Sequence, residues 1–362
     1  MKASLFCNAQ FMGPAPHDIW PLSGKYYSAD IAVSSMQTTL DQFRLADEFG
    51  FDWATVAERH YTSASLSPNP LVLAGALCQV VRRAKIAVLG PTIPILDPVR
   101  VAEEFAMIDV MSGGRLVAGM MRGIPSEYVA YNINPSESRE RFAEALHLIR
   151  RSWTELEPFG WIGKYYEYPT ISIWPRPVQK PYPPIFMSGA SPEAGEFAAR
   201  NHISVGFAFT TVPHAKKAVT HYRTCARAAD WDPTADNVLY RAIFHVADTD
   251  EQAFDDMAKL PPRDGLAAYN KEVMEALRAS GYYGTDVEGQ TQRSARRELA
   301  ERIELGQVIV GSPETALKQV RRIRDELGAG IIDLVVGAQL GERTMRSIEL
   351  FGSKVLPRMR EF

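Results

Sequence analysis

Apolar positions along the chain recur with two different periods. Short apolar runs over 2–8, 53–57, 86–90, 116–120, 185–187, 204–209, 239–246 and 331–336 have the length and composition of buried strands. Between them lie stretches with helical spacing. Met36, Leu40, Phe43, Ala46 and Phe49 mark a helix over 34–49, and Gly50 supplies its left-handed stop. Further helices are predicted over 70–81, 136–153, 215–229 and 343–355, and another from Glu251 to about 260. Three more are announced by their caps: Asp97-Pro98, Ser191-Pro192-Glu193 and Ser312-Pro313-Glu314 each set a capping side chain before a proline in the first turn. The pattern lapses near 13–33, 159–184 and 260–306, which read as insertions, the last with one helix over 266–279.

Eight strands alternating with helices require parallel pairing through crossover connections. Eight such units within 362 residues predict an α/β chain folded as a single (β/α)8 TIM barrel with loop insertions, spanning 1–362. The open doubly wound alternative would carry a G-x-G-x-x-G turn after the first strand, where Asn8-Ala9-Gln10-Phe11 stands instead.

Composition acts here mainly by exclusion. A net charge of −3 leaves no basic excess for nucleic acid. No apolar run approaches the roughly 20 residues of a membrane helix, and the N-terminal run lacks the features of a signal peptide. Cys7, Cys78 and Cys225 lie too far apart for a disulfide framework or a zinc motif, and the seven histidines form no metal pair. These features predict a cytoplasmic protein with reduced thiols, no metal and no membrane or nucleic-acid partner.

In a barrel the chemistry sits at the C-terminal strand ends. Those positions hold Glu58-Arg59-His60 after the second strand, Leu89-Gly90 at the third, Arg122-Gly123-Ile124 after the fourth and Ser188-Gly189-Ala190-Ser191 after the fifth. An arginine fork beside a glycine, together with a serine-capped helix N-terminus, could clamp a phosphate dianion. Taken singly, each feature also has a plain structural reading: helix capping for Ser191 and a solvated cation for Arg122. His60 could be a base or an orienting donor, and Glu58 a buried carboxylate satisfied by a neighbour such as Arg59.

The run Glu48-Phe49-Gly50-Phe51-Asp52, then Glu58-Arg59-His60-Tyr61 and Asn69-Pro70, resembles the E-x-G-F-D…E-H-H-F segment of the bacterial-luciferase-like monooxygenases. So do Asp97-Pro98-Val99-Arg100, Asp109-Val110-Met111-Ser112-Gly113-Gly114-Arg115, Gly119, Arg122-Gly123, Ser138-Arg139 with Glu144, Ala247-Asp248-Thr249-Asp250-Glu251 and the closing Gly311-Ser312-Pro313-Glu314. The resemblance implies FMN bound through its phosphate by Arg122, Ser191 and the backbone of Ser188-Gly189-Ala190. Gly123 and Ile124 would lie along the flavin, and Leu89-Gly90 would form a non-prolyl cis peptide beneath the ring. It further implies FMNH2 supplied by a separate flavin reductase, attack of O2 to give a C4a-peroxyflavin, oxygenation of a small organic substrate, and a homodimer through helices near the second and third strands. Glu58 and His60 are its candidate catalytic residues. The chain departs from the luciferase pattern where Arg59 replaces the first of two consecutive histidines; an arginine cannot serve as a base near neutral pH. A deazaflavin (F420)-dependent oxidoreductase of the same superfamily and a non-catalytic flavin-binding subunit are the alternative readings; a flavin-free barrel hydrolase or isomerase lacks paired carboxylates or metal ligands. Substrate selectivity would fall to Phe11, the 13–33 loop, and Trp161, Tyr165, Tyr166 and Trp174, aromatics equally suited to packing or a subunit interface. A lid would fall over 260–306, and its cluster Arg293, Arg296 and Arg297 reads as a solvated helix face.

Overall fold

The computed structural model describes residues 1–16, 19–260, 297–336 and 340–362. Eight parallel strands form a closed wall: β1 (Lys2–Phe6), β2 (Trp53–Val56), β3 (Lys85–Val88), β4 (Leu116–Gly119), β7 (Ile185–Ser188), β8 (Ser204–Ala208), β9 (Val238–Val246) and β11 (Ile331–Val336). They correspond to the eight runs predicted from the sequence. Closure is made by β8 on β9, with Val205 opposite Val238, and by β11 between β9 and β1. The main helices ring the outside: α1 (Ala29–Glu48), α2 (Pro70–Val80), α3 (Pro98–Met111), α5 (Ser138–Thr154), α6 (Pro192–Arg200), α7 (Val212–Ala228), α10 (Pro313–Leu327) and α11 (Glu342–Leu350). The caps read from sequence are made: Asp97 Oδ1 accepts from the Arg100 amide at 2.9 Å and Ser191 Oγ from Ala194 at 3.2 Å.

Alternation along the strands separates two apolar layers. Ala54 and Val56 of β2 belong to the large core between wall and helices. Trp53, Ala87, Leu89, Val117, Phe186, Leu239 and Ile331 fill the barrel interior. Phe6, Ala57, Val335 and Ile243 form a further interior layer nearer the C-terminal mouth. Glycines set how closely the strand ends approach. A Cβ on Gly90 would lie 2.5 Å from Ala57 Cα and from the Glu58 amide nitrogen, nearer than real Cβ contacts come. The three cis peptides among the described residues all precede proline, at Pro21, Pro175 and Pro181, so the non-prolyl cis bond expected at Leu89–Gly90 is not present. Without proline the trans form is the strongly favoured one.

The structure corrects the sequence reading at several elements. The 159–184 stretch, expected to be a loop, contains an antiparallel hairpin of β5 (Phe159–Ile162) and β6 (Glu167–Ile171). Its turn is fastened to α5: Glu144 accepts the amides of Lys164, Tyr165 and Tyr166 at 3.0–3.1 Å and the Trp161 indole at 3.1 Å. Helix α1 begins at Ala29, capped by Ser28, which shortens the first insertion. A short helix, α4 (Pro125–Ala130), follows β4. Before Ser312, α9 (Leu299–Glu304) leads into β10 (Val308–Gly311), which pairs with the far end of β9 beyond the reach of β8. Alternation missed β10 because a four-residue apolar run gives too little pattern to separate strand from core helix. Helix α8 (Asp250–Ala258) is tied beneath by His245, whose Nε2 is 3.0 Å from Asp256 Oδ2, while Arg343 pairs with the other oxygen. Residues 261–296, with the expected helix over 266–279, Arg293 and Arg296, lie outside the described residues; Arg297 pairs with Glu301 at 3.2 Å.

Gly90→Ala is expected to destabilise the fold by about 1–3 kcal/mol or more, as overpacking against backbone does. Gly75→Ala in α2, where a Cβ meets nothing within 4 Å, should stabilise it by about 0.5–1 kcal/mol. Paired urea denaturation curves check both signs.

Candidate active site

The mouth is built from successive strand ends. Beyond β3 and β4 the chains continue side by side: Met121 donates its amide to the Pro91 carbonyl at 3.1 Å and Ile93 donates to Met121 at 2.9 Å. That pairing brings Gly123 over Thr92 with a φ of +86°, where a Cβ would stand 2.3 Å from Thr92 Cγ2. The position admits only glycine on both counts. Arg122 therefore leaves the wall on a fixed backbone. Its Nη1 donates to Ser138 Oγ of α5 at 3.2 Å, and its carbonyl accepts from the Tyr128 hydroxyl.

Next to β4 in the wall is β7, with Gly119 opposite Phe186 and the Met120 amide bonded to the Phe186 carbonyl at 2.8 Å. Arg122 and Ser188 thus emerge from neighbouring strands, each two residues beyond that bond. Ser188 is exposed, Gly189 is buried and Ser191 caps α6. Gly189 packs under Val205 and Phe207, within 2.9–3.1 Å of where a Cβ would lie. Arg122-Gly123 and the Ser188–Ser191 turn thus follow neighbouring strands of the wall. Ile124 lies beside them with its amide engaged by Glu127 Oε2 at 2.8 Å.

Glu58 and His60 stand elsewhere. They continue the row of Ala54 and Val56, which faces the helices. Glu58 Oε1 and His60 Nε2 are 3.2 Å apart, both side chains buried, but their alignment makes no hydrogen bond. Glu58 Oε2 accepts from the Thr92 amide at 3.3 Å. Arg59 donates to the Glu58 carbonyl at 2.7 Å rather than to its carboxylate. The pair borders a cavity of about 170 Å³ with Asn69, Asp97, Val101 and Tyr131. That is below the ~300–1,000 Å³ of drug-sized ligand sites, so it suits a small group and not a flavin ring. Helix α4, absent from the sequence reading, links the two regions: it is capped by Ile124 at its start and by Tyr131 at its end, whose hydroxyl is 3.5 Å from His60 Nδ1.

Several buried polar atoms have no hydrogen-bond partner: Asn8 Oδ1 just past β1, Thr210 Oγ1 just past β8, Asp333 Oδ1 within β11 and Glu127 Oε1 on α4. Such orphans are rare in interiors; of these four, all but Asp333 belong to segments that leave the C-terminal ends of strands, while others, such as Arg150 Nε on α5 and Arg322 Nε on α10, lie on the outer helices. Sequence reading missed Thr210, Glu127 and Asp333 because burial without a partner leaves no local pattern. The aromatics offered as selectivity residues are placed differently. Trp161 and Tyr165 hydrogen-bond to Glu144 and Glu140 on the outer face of α5, Trp174 is 83% exposed, and Phe11 is buried against Tyr27.

The fold is that of enzymes whose chemistry sits at the C-terminal mouth of a (β/α)8 barrel. More narrowly, the chain belongs to the luciferase-like monooxygenase family, whose model matches residues 13–330. It is 28% identical over 335 residues to the 4-hydroxyprotoasukamycin monooxygenase of Streptomyces nodosus subsp. asukaensis, covering 90% of this chain and 87% of that one. It is 25% identical over 333 residues to the FMNH2-dependent dimethylsulfone monooxygenase of Pseudomonas putida, covering 88% and 86%. Its fold superposes with a TM-score of 0.76 on the oxygenating constituent of 3,6-diketocamphane monooxygenase from Pseudomonas putida, solved with FMN, at 19% identity and covering 99% and 98%.

Burial pushes the Glu127 carboxyl above its ordinary value, against the opposing pull of Arg59 and the Ile124 amide. The folded protein therefore holds this proton more tightly than the unfolded chain. The associated stability is present below the ordinary glutamate value and is lost as pH rises through the raised folded value. Glu127→Gln keeps the acceptor for Ile124 and should remove this loss. Denaturation curves from mildly acidic to neutral pH should show the variant gaining on the wild type as pH rises; parallel pH profiles would contradict the assignment.

Proposed function

We propose that this chain is the oxygenase component of a two-component system, binding FMNH2 delivered by a separate flavin reductase and using O2 to oxygenate a small organic substrate. One observation supports the reading: Arg122 and the Ser188–Ser191 turn leave adjacent strands, which sets an arginine and a helix N-terminus side by side at the mouth. That donor set suits a phosphate dianion. FMNH2, when bound, supplies the oxygen-activating chemistry.

The chain's own residues do the rest. Ser138 holds the Arg122 fork in orientation. Ser191 Oγ accepts from its own helix, which leaves its hydroxyl hydrogen for a ligand oxygen. Gly123 and Gly189 allow close backbone approach. Ala57, Phe6, Val335 and Ile243 floor the mouth with apolar surface that excludes water. Glu58 and His60, behind the wall, are the candidate proton-handling pair for a substrate group entering their small cavity.

Arg122→Ala should weaken FMN binding by about 1.5–3 kcal/mol, the range for a hydrogen bond to a charged group. Fluorescence titration with FMN measures it, and unchanged affinity would remove Arg122 from the clamp. Rapid mixing of the FMNH2-loaded protein with oxygenated buffer tests the oxygenase reading. An absorbance transient distinct from oxidised FMN is expected; reoxidation at the rate of free flavin would sink it in favour of hydride transfer or passive flavin binding.

The assembly proposed with this reading is a homodimer through α2 and α3. Val72 on α2 and Met107, Val110 and Met111 on α3 are 45–72% exposed. A dimer is expected in sedimentation velocity at micromolar concentration, and a monomer there would rule this interface out.

A further inference from the structure

The barrel interior contains an ion pair that its packing does not require. Arg241 of β9 and Asp333 of β11 are cross-strand neighbours, and Arg241 Nε donates to Asp333 Oδ2 at 2.6 Å. Both are buried; Asp333 is fully so. Buried ion pairs are weak sources of stability, and apolar residues of similar volume often do better. The interior layer closer to the N-terminal strand ends is apolar, formed by Trp53, Phe186, Leu239 and Ile331.

Three details show how the pair is arranged. Ser4, the register partner of Asp333 on β1, does not satisfy it: Ser4 Oγ bonds instead to Thr55 Oγ1 at 2.6 Å. Asp333 Oδ1 is left without a partner. The guanidinium carbon of Arg241 lies 3.7 Å from the centroid of the Phe6 ring. Phe6 is two residues further toward the C-terminal mouth than Ser4, in the layer of Val335 and Ile243. The side chain therefore leans from its own layer toward the mouth. Of its five N–H donors only Nε is hydrogen-bonded to a described residue. Asp333 and the Phe6 face fix the guanidinium plane, and the Nη edge keeps its donors.

We propose that Arg241 is an anion receptor in the barrel lumen: its Nη edge, positioned by Asp333 and Phe6, takes an oxygen that carries negative charge. On the oxygenase reading above, from which the occupant is inferred, that oxygen comes either from the ring of reduced flavin or from a phenolate- or enolate-type substrate. Asp333 is the positioning residue, and it balances the arginine's charge while the lumen is empty of ligand.

Two probes distinguish the sources: FMN, reduced and oxidised, titrated anaerobically by absorbance, and 4-nitrophenolate, whose absorption band shifts when its oxygen is bound by a cation. Arg241→Met leaves a lone buried carboxylate, so the double variant Arg241→Met/Asp333→Leu is measured beside it, with circular dichroism confirming the fold. The double variant is expected to bind reduced FMN or 4-nitrophenolate about tenfold or more weakly than wild type, the loss of one charge-assisted hydrogen bond. A loss for reduced but not oxidised FMN assigns the flavin oxygen. A loss for 4-nitrophenolate alone assigns the substrate oxygen. Equal losses for both FMN forms mark a collapsed pocket and overturn the charge-specific role, as do affinities equal to wild type for every probe. Wild-type protein that binds no FMN overturns the cofactor reading alone, and the 4-nitrophenolate comparison still decides Arg241.

Discussion

A wall of parallel strands must pair both edges of every strand or leave backbone groups buried without partners. Here closure depends on β9, which at nine residues is the longest strand among those described. Its first half pairs with β8, from Val205 opposite Val238 to Ala208 opposite Arg241, and there the barrel shuts. Its second half runs past the end of β8, and β10 takes over the same edge from Ile243 to Val246. The mouth opens where this exchange occurs. Arg241 sits at the last rung shared with β8, and Ile243 packs both with the interior layer of Phe6 and with the cluster under α8.

From that closure the division of labour around the mouth follows. Residues on the inward row of each strand face the lumen, and those on the other row face the helices. Arg241 and Asp333 fall on one row, Glu58 and His60 on the other. Arg122 and the Ser188–Ser191 turn belong to neither, because they lie at or past the ends of the strands, beside glycines that allow close approach. Three chemically distinct environments are thus spread around the wall: a lumen with a buried ion pair at β9 and β11, the strand ends of β4 and β7, and a small cavity behind the end of β2. Helix α4 joins rim and cavity through its two caps, Ile124 and Tyr131.

The residues by which the family resemblance is recognised serve mostly as anchors. Asp109 accepts the amide and side chain of Gln179 at 3.0 and 2.7 Å, which fixes the segment entering β7. Glu144 fastens the hairpin. Asp52 accepts the Ala3 amide at 2.9 Å, joining β2 to β1. Gly119 lies against the Val88 carbonyl and Leu89, where a Cβ would intrude to 2.4 Å. A motif dominated by such contacts identifies a fold reliably and a substrate poorly, since the anchors survive whatever the mouth comes to bind.

Strand identity, helix caps and barrel class were legible in the sequence, because each depends on short-range rules: alternating burial, an oxygen placed before a helix, a glycine after one. Arg122 and Ser191 were legible as candidate site residues for the same reason, each marked by its immediate neighbours. What the tertiary structure alone decided concerns pairs far apart in the chain. Arg241 meets Asp333 across 92 residues, and His60 meets Tyr131 across 71. Which row of a strand faces the lumen depends on how the sheet closes. Glu58 ends a barrel strand in sequence, and only the closed sheet shows that it borders a small cavity on the helix side and not the lumen. Burial without a partner, as at Asp333 and Thr210, exists only once the surrounding chain has folded, because a side chain in water always has one.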